Sequence, residues 1–201
     1  MGFFTIGLFA VIGLTVLLNI LISRGKSKQT DYGAITEEER LANQTRKREI
    51  GPEVFVKPDL DKLPFNIFNR NAGAAEAAES VKKAAGMPMV RFDTDLSNND
   101  LKFMYGVANL EHITKMEENY RSFISAALAW AEILLAEGED AGAEAILGET
   151  LRLKSDFSRC YTLLADIYER RGDAAALKAL RTRAAEADYL PLGIKQKLPR
   201  K

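Results

Sequence analysis

Hydrophobic and polar positions fall into three patterns along the chain: a continuous apolar run at the N-terminus, a proline-punctuated apolar stretch in the middle, and helical periodicity from about residue 71 onward. From Phe3 to Ile22 the sequence FFTIGLFAVIGLTVLLNILI holds twenty residues without a charge. At 1.5 Å per residue a helix of that length spans roughly 30 Å, the hydrocarbon thickness of a bilayer, so residues 3–22 are expected to form a transmembrane anchor. A cleavable signal would need a basic start, a shorter apolar core and a small-residue cleavage site, none of which is present. No cysteine lies near its end, which excludes a lipoprotein anchor. Asn19 is near the expected helix end, where it reads as an interfacial asparagine reaching the headgroup region, with a hydrogen bond to a neighbouring helix as the alternative. Gly7 and Gly13 lack the four-residue spacing of a close-packed helix pair. The nearby basic residues, Arg24, Lys26 and Lys28, all follow the run. Basic flanks stay on the cytoplasmic side, which predicts a single-pass protein of the cell membrane with its N-terminus outside and its C-terminal domain cytoplasmic.

Residues 23–70 read as a juxtamembrane linker. Its first part, to residue 50, is rich in charge and poor in large apolar groups, a composition that buries too little to offset its ordering entropy. Within it Thr36, followed three residues later by Glu39, has the form of a helix start, and a short exposed helix is expected through about Lys47. The run Arg46-Lys47-Arg48 reads as solvated, being short for a polybasic lipid site, with contact to anionic lipid as the alternative. Residues 53–68 differ, because they place many large apolar side chains around Pro58 and Pro64, which forbid a continuous helix. The segment must be extended or irregular, and it is expected to pack on this chain's own helical domain in preference to a partner.

Residues 71–118 read as a helical cap region. Ala72 to Ala85 is alanine-rich, offers Glu79 and Lys83 as a pair four apart, and stops at Gly86 and Pro88. A second helix should begin near Ser97, with Asp100 three residues on, and run past Leu110. Its periodicity puts Leu101, Met104, Tyr105 and Ala108 on one face, widened by Phe103, Val107 and Leu110.

Residues 119–188 repeat at an offset of 34. The stretch from Ala129 to Ala141 lies over Leu163 to Ala175, with Ala131/Ala165, Glu132/Asp166, Ile133/Ile167, Gly138/Gly172, Glu139/Asp173 and, beyond it, Ala145/Ala179 matched. Each copy reads as helix, glycine turn, helix. Small Ala131 and Ala165 let paired helices approach, Trp130, Leu134, Leu164 and Tyr168 fill the space beside them, and the glycines permit a left-handed exit.

At these residues the chain resembles a membrane-anchored member of the tetratricopeptide repeat family. Tyr161, Leu164, Ala165, Tyr168, Gly172 and Ala184 carry the resemblance in the second copy, and Trp130, Ala131, Leu134, Gly138 and Ala143 in the first. Ser155 and Tyr189 stand where a proline usually ends the unit, and Leu177 where a small residue is usual. The resemblance implies an all-α fold of helical hairpin repeats, with the helices around 98–118 as a degenerate unit or cap and 189–201 as a tail. It also implies that the first helices of the two units line a groove for a peptide or helix of another protein. Ser125, Leu128, Glu132 and Leu135 then face the groove in the first unit, and Arg159, Thr162, Asp166 and Glu169 in the second. Family members that clamp a C-terminal carboxylate use lysine and asparagine in this groove; Glu132 and Asp166 here argue against an acidic terminus and for a basic ligand.

Charge is balanced at 28 basic and 28 acidic residues, so nothing global favours nucleic acid as a partner. One cysteine and one histidine exclude a disulfide framework and a Cys/His zinc site. His112 reads as a surface or half-buried histidine and Cys160 as a small core residue; no phosphate-binding glycine loop is present. The expectation is a non-catalytic protein without cofactor or metal, a membrane-tethered scaffold or adaptor. The alternatives are a targeting receptor at an organelle surface and an obligate subunit of a membrane complex.

Overall fold

The structure is a computed structural model that describes residues 32–66 and 72–197. The expected anchor at 3–22 lies outside the described residues, and among those described no helix is long and apolar enough to cross a membrane. The chain divides into two compact units, 1–41 and 42–201. Among the described residues every regular element longer than three residues is an α-helix, so the fold is all-α.

Helix α1, Tyr32–Asn43, crosses the division between the units. It starts before Thr36 and ends before Lys47, so Thr36 is an interior residue and not the cap its spacing with Glu39 suggested. Glu37 pairs with Arg40 one turn on, at 2.6 Å, which stabilises the helix already begun upstream.

In the second unit, α2 spans Ala72–Ala85, as its composition predicts, and Gly86 and Pro88 follow its end. The partner of Glu79 is Lys82, at 2.6 Å, one residue short of the Lys83 that four-residue spacing suggests. Ala74, Ala78 and Val81 form a stripe at four- and three-residue intervals and are buried. Their small side chains let α2 lie close along α4, Val107–Ala136.

Helix α3, Asn98–Tyr105, begins in a complete capping box: the Asp100 N–H donates to Ser97 Oγ and the Ser97 N–H donates to Asp100 Oδ2. The helix does not run on past Leu110 as its periodicity predicts. It ends at Gly106, whose φ of 84° is left-handed, and α4 starts there on a new axis. The break has a tertiary cause. The backbone of residues 46–48 passes directly over Gly106, where a Cβ would run into the Arg46 carbonyl and the Lys47 Cα. The Arg48 N–H donates to the Tyr105 carbonyl at 2.9 Å, and the Asn109 amide donates to the Arg48 carbonyl at 2.6 Å. Residues 46–48, within the stretch read as a free tether, are therefore bonded to the α3–α4 joint. The new axis also redistributes the apolar face: Leu101 and Tyr105 are buried, whereas Phe103, Met104, Val107 and Ala108 are exposed.

Two hairpins follow. The C-terminal half of α4 turns at Gly138, φ 78°, into α5, Asp140–Arg152; α6, Ser158–Arg171, turns at Gly172, φ 72°, into α7, Ala174–Glu186. Left-handed glycines end both first helices, where a side chain would be strained. Asp173 caps α7 by accepting the Ala176 N–H at 2.9 Å. A final helix, α8, Leu192–Lys197, lies on α6 and α7 and buries Ile194.

The main core runs through α2, α4, α5, α6, α7 and α8, with Trp130, Tyr161, Phe123 and Leu147 wholly inside. Residues 53–66 contribute to it. They form extended chain with 3₁₀ turns at Pro52–Val54 and Leu60–Lys62, and Val56, Leu60, Leu63 and Phe65 pack on the core, as expected of an apolar segment that cannot be helical. Phe65 stacks on Trp130 at 5.0 Å with Lys82 over its outer face, and the Asp59 N–H donates to buried Glu149 at 2.6 Å. A second, smaller core joins Val90, Phe92, Leu101, Tyr105, Ile113 and Met116, against which Ile50 and Val54 pack.

Candidate functional site

The two positions where a proline was expected converge on one side chain. Ser155 is fully buried, its hydroxyl accepts the Phe157 N–H at 3.2 Å, and its carbonyl accepts the Tyr161 hydroxyl at 3.0 Å. Tyr189 brings its own hydroxyl to 3.4 Å from that of Tyr161. A hydrogen-bonded corner thus stands at the end of each unit. Tyr120 does the same from α4, donating to the Leu153 carbonyl at 3.0 Å, and burial pushes its phenol well above the usual range, so it stays a donor.

These contacts orient the first helices, α4 and α6, whose outer faces carry the residues singled out from the sequence. Ser125, Glu132, Arg159, Asp166 and Glu169 are exposed; Leu128, Leu135 and Thr162 are half-buried, the two leucines packing against the main core. Arg159 Nε donates to Glu132 Oε1 at 2.8 Å, an ion pair that bridges the first helices of the two hairpins. The Thr162 hydroxyl is turned inward on its own helix, onto the Arg159 carbonyl at 3.1 Å. Glu169 reaches Arg181 of α7 only at 3.9 Å, and Asp166 has no partner among the described residues. The structure therefore brings Glu132 and Arg159 together across the helices and Thr162 onto Arg159 within one helix, and no hydrogen bond or ion pair among the described residues joins the other five to one another. Among these eight residues the one cation, Arg159, is held by Glu132, while Asp166 is exposed without an ion pair among the described residues.

Other features escaped the sequence reading because their residues are far apart along the chain. A cavity of about 500 Å³ opens between residues 53–57, 91–96, Met104, Tyr105 and the Arg152–Lys154 corner. Phe55, which lines it, makes a short antiparallel contact with Val90. Arg91 closes one side: its guanidinium lies 5.8 Å from the Tyr120 ring and 5.9 Å from the Tyr189 ring, and donates to the Lys154 carbonyl at 3.3 Å. A second hollow, on α5 and α7, is lined by Arg152, Lys154, Lys178 and Arg183, but three of these are engaged, with Glu149, Asp93 and the Leu151 carbonyl. No sequence signal marked either.

His112 is exposed and Cys160 is fully buried, where burial pushes the thiol up and keeps it neutral. Among the described residues no group of three or more His, Cys, Asp or Glu side chains could hold a metal ion. No family model, curated protein or solved structure matches the chain.

Proposed function

We propose that the chain is a membrane-anchored scaffold or adaptor of tetratricopeptide-like build. Residues 3–22 hold it in the cell membrane, and the outer faces of α4 and α6 receive a segment of another protein on the cytoplasmic side. The observation that carries this reading is the Arg159–Glu132 pair joining the first helices of two hairpins that repeat at 34 residues, with Asp166 left open beside it. An exposed pair of this kind contributes only about 0–1 kcal/mol to stability, so its value lies in setting the charge of a face. With Arg159 neutralised, that face favours a basic segment as occupant. No catalytic constellation is proposed.

Packing of Val56, Leu60, Leu63 and Phe65 on the chain's own core occupies most of the apolar side chains of residues 53–66, with Phe55 left exposed, which supports the adaptor over the obligate-subunit reading. Photo-crosslinkers placed at Thr162 and Ser125, and at Lys178 on α7 as a control, test the proposal in cells. Adducts are expected from the first two positions, lost with Asp166→Lys and absent at Lys178. Identical adducts from all three positions, or adducts indifferent to the reversal, would refute groove binding.

A further inference from the structure

The α3–α4 joint gathers two kinds of exposed side chain that the sequence keeps far apart. Among the described residues eight large hydrophobics are exposed, and three of them, Phe103 at 37 %, Met104 at 45 % and Val107 at 43 %, lie within three positions of Gly106. Over that same glycine passes the backbone of Arg46, Lys47 and Arg48, pinned by the Arg48 N–H to Tyr105 and by the Asn109 amide to Arg48. All three basic side chains are exposed, and none makes an ion pair among the described residues. Glu49 is the acidic residue that directly follows them. Apolar side chains beside unpaired cations form the pattern of an interfacial membrane contact, in which the first enter the headgroup boundary and the second meet anionic lipid.

We infer that this patch, Arg46, Lys47, Arg48, Phe103, Met104 and Val107, docks on the anionic face of a bilayer. Two considerations select lipid over other occupants. A second copy packed about a two-fold axis through the patch would set the three cations of one copy against those of the other. And residues 23–45 are all that separate Arg46 from the apolar run ending at Ile22, so the patch is where the chain from the proposed anchor joins the folded unit. For its nearness to the bilayer the inference rests on the anchor reading. Docking would hold the faces of α4 and α6 in a fixed attitude to the membrane in place of a free swing.

The test uses the full chain in vesicles of phosphatidylcholine, with and without phosphatidylglycerol, carrying an environment-sensitive fluorophore at Val107→Cys or, as control, Lys178→Cys. Native Cys160 is buried and should stay unlabelled, which the unsubstituted chain checks. Brominated acyl chains are expected to quench the label at 107 several-fold more than at 178, in phosphatidylglycerol vesicles only. Reversal of all three charges, Arg46→Glu, Lys47→Glu and Arg48→Glu, should lower the docked-to-free ratio by at least on the order of a hundredfold. Equal quenching at both sites, or quenching that survives the triple reversal, overturns the inference. So does crosslinking between copies through position 107 without quenching. Carbonate extraction separates the two readings: a retained chain unquenched at 107 sinks the patch alone, whereas an extracted chain still quenched in phosphatidylglycerol sinks the anchor and leaves the patch standing.

Discussion

Gly106 does two jobs that no other residue could combine. Its φ of 84° turns the chain between α3 and α4, and its missing Cβ leaves room for the Arg46 carbonyl and the Lys47 Cα. Replacement by alanine adds backbone strain to a steric collision, and Gly106→Ala is expected to cost about 2–4 kcal/mol, read as a fall in the urea midpoint at unchanged slope. Eight residues along from Asn98 the break was not legible, since a lone glycine within a helical pattern has the same appearance whether the helix tolerates it or ends there. The start of α3 was legible, because a capping box is local. Asp100 there is held below the usual carboxylate range, first by the Ser97 hydroxyl and then by the Ser97 backbone N–H. Its contribution is therefore complete above the ordinary carboxylate value of about 3.9 and is lost as pH falls through the lower folded value. Urea midpoints measured downward from pH 5 should show the native chain losing more stability than Asp100→Asn, which has no carboxylate to protonate.

At the scale of elements, residues 53–66 behave as a strap held by side-chain and backbone contacts in place of regular structure. Phe65 on Trp130, Leu60 and Leu63 in the core, the Asp59 N–H on Glu149 and the Arg152 guanidinium on the Lys57 carbonyl at 2.8 Å fasten it to α4 and α5. Phe65→Ala removes the stacked ring and is expected to cost about 2 kcal/mol, with faster tryptic cleavage at Lys62. Trp130 is the chain's one tryptophan, so its emission should shift red as the ring beside it is lost. An unshifted spectrum and unchanged proteolysis would show that the strap is held elsewhere. That the segment is not helical followed from Pro58 and Pro64, since proline's geometry is a local fact. That it lies on Trp130 depended on partners roughly 65 residues away, which no periodicity reports. Helix α2 needed no such partner to be read, its alanine content and its glycine stop being sufficient for its limits.

On the scale of the whole molecule, α8 packs on the second hairpin through its own Ile194, which is buried together with Leu190 just before it. Stacked helical hairpins leave an apolar surface at each end, and a terminal cover is a general requirement of the architecture. Ile194→Asp, which places a carboxylate in that surface, is expected to cost about 3 kcal/mol and to raise amide exchange first in α6 and α7. Uniform exchange along the unit would show instead that its helices unfold as one. The chain by itself determined what depends on neighbours within a few turns: the all-α class, the capping box at Ser97, the left-handed exits at Gly138 and Gly172, and the limits of α2. Only the tertiary structure decided what depends on distant segments meeting. It broke the helix at Gly106 where residues 46–48 cross, paired Glu132 with Arg159, and joined Ser155 and Tyr189 through the Tyr161 hydroxyl. The division follows from range: backbone propensities and caps act over three or four residues, whereas burial and ion pairing act between whatever the fold brings into contact.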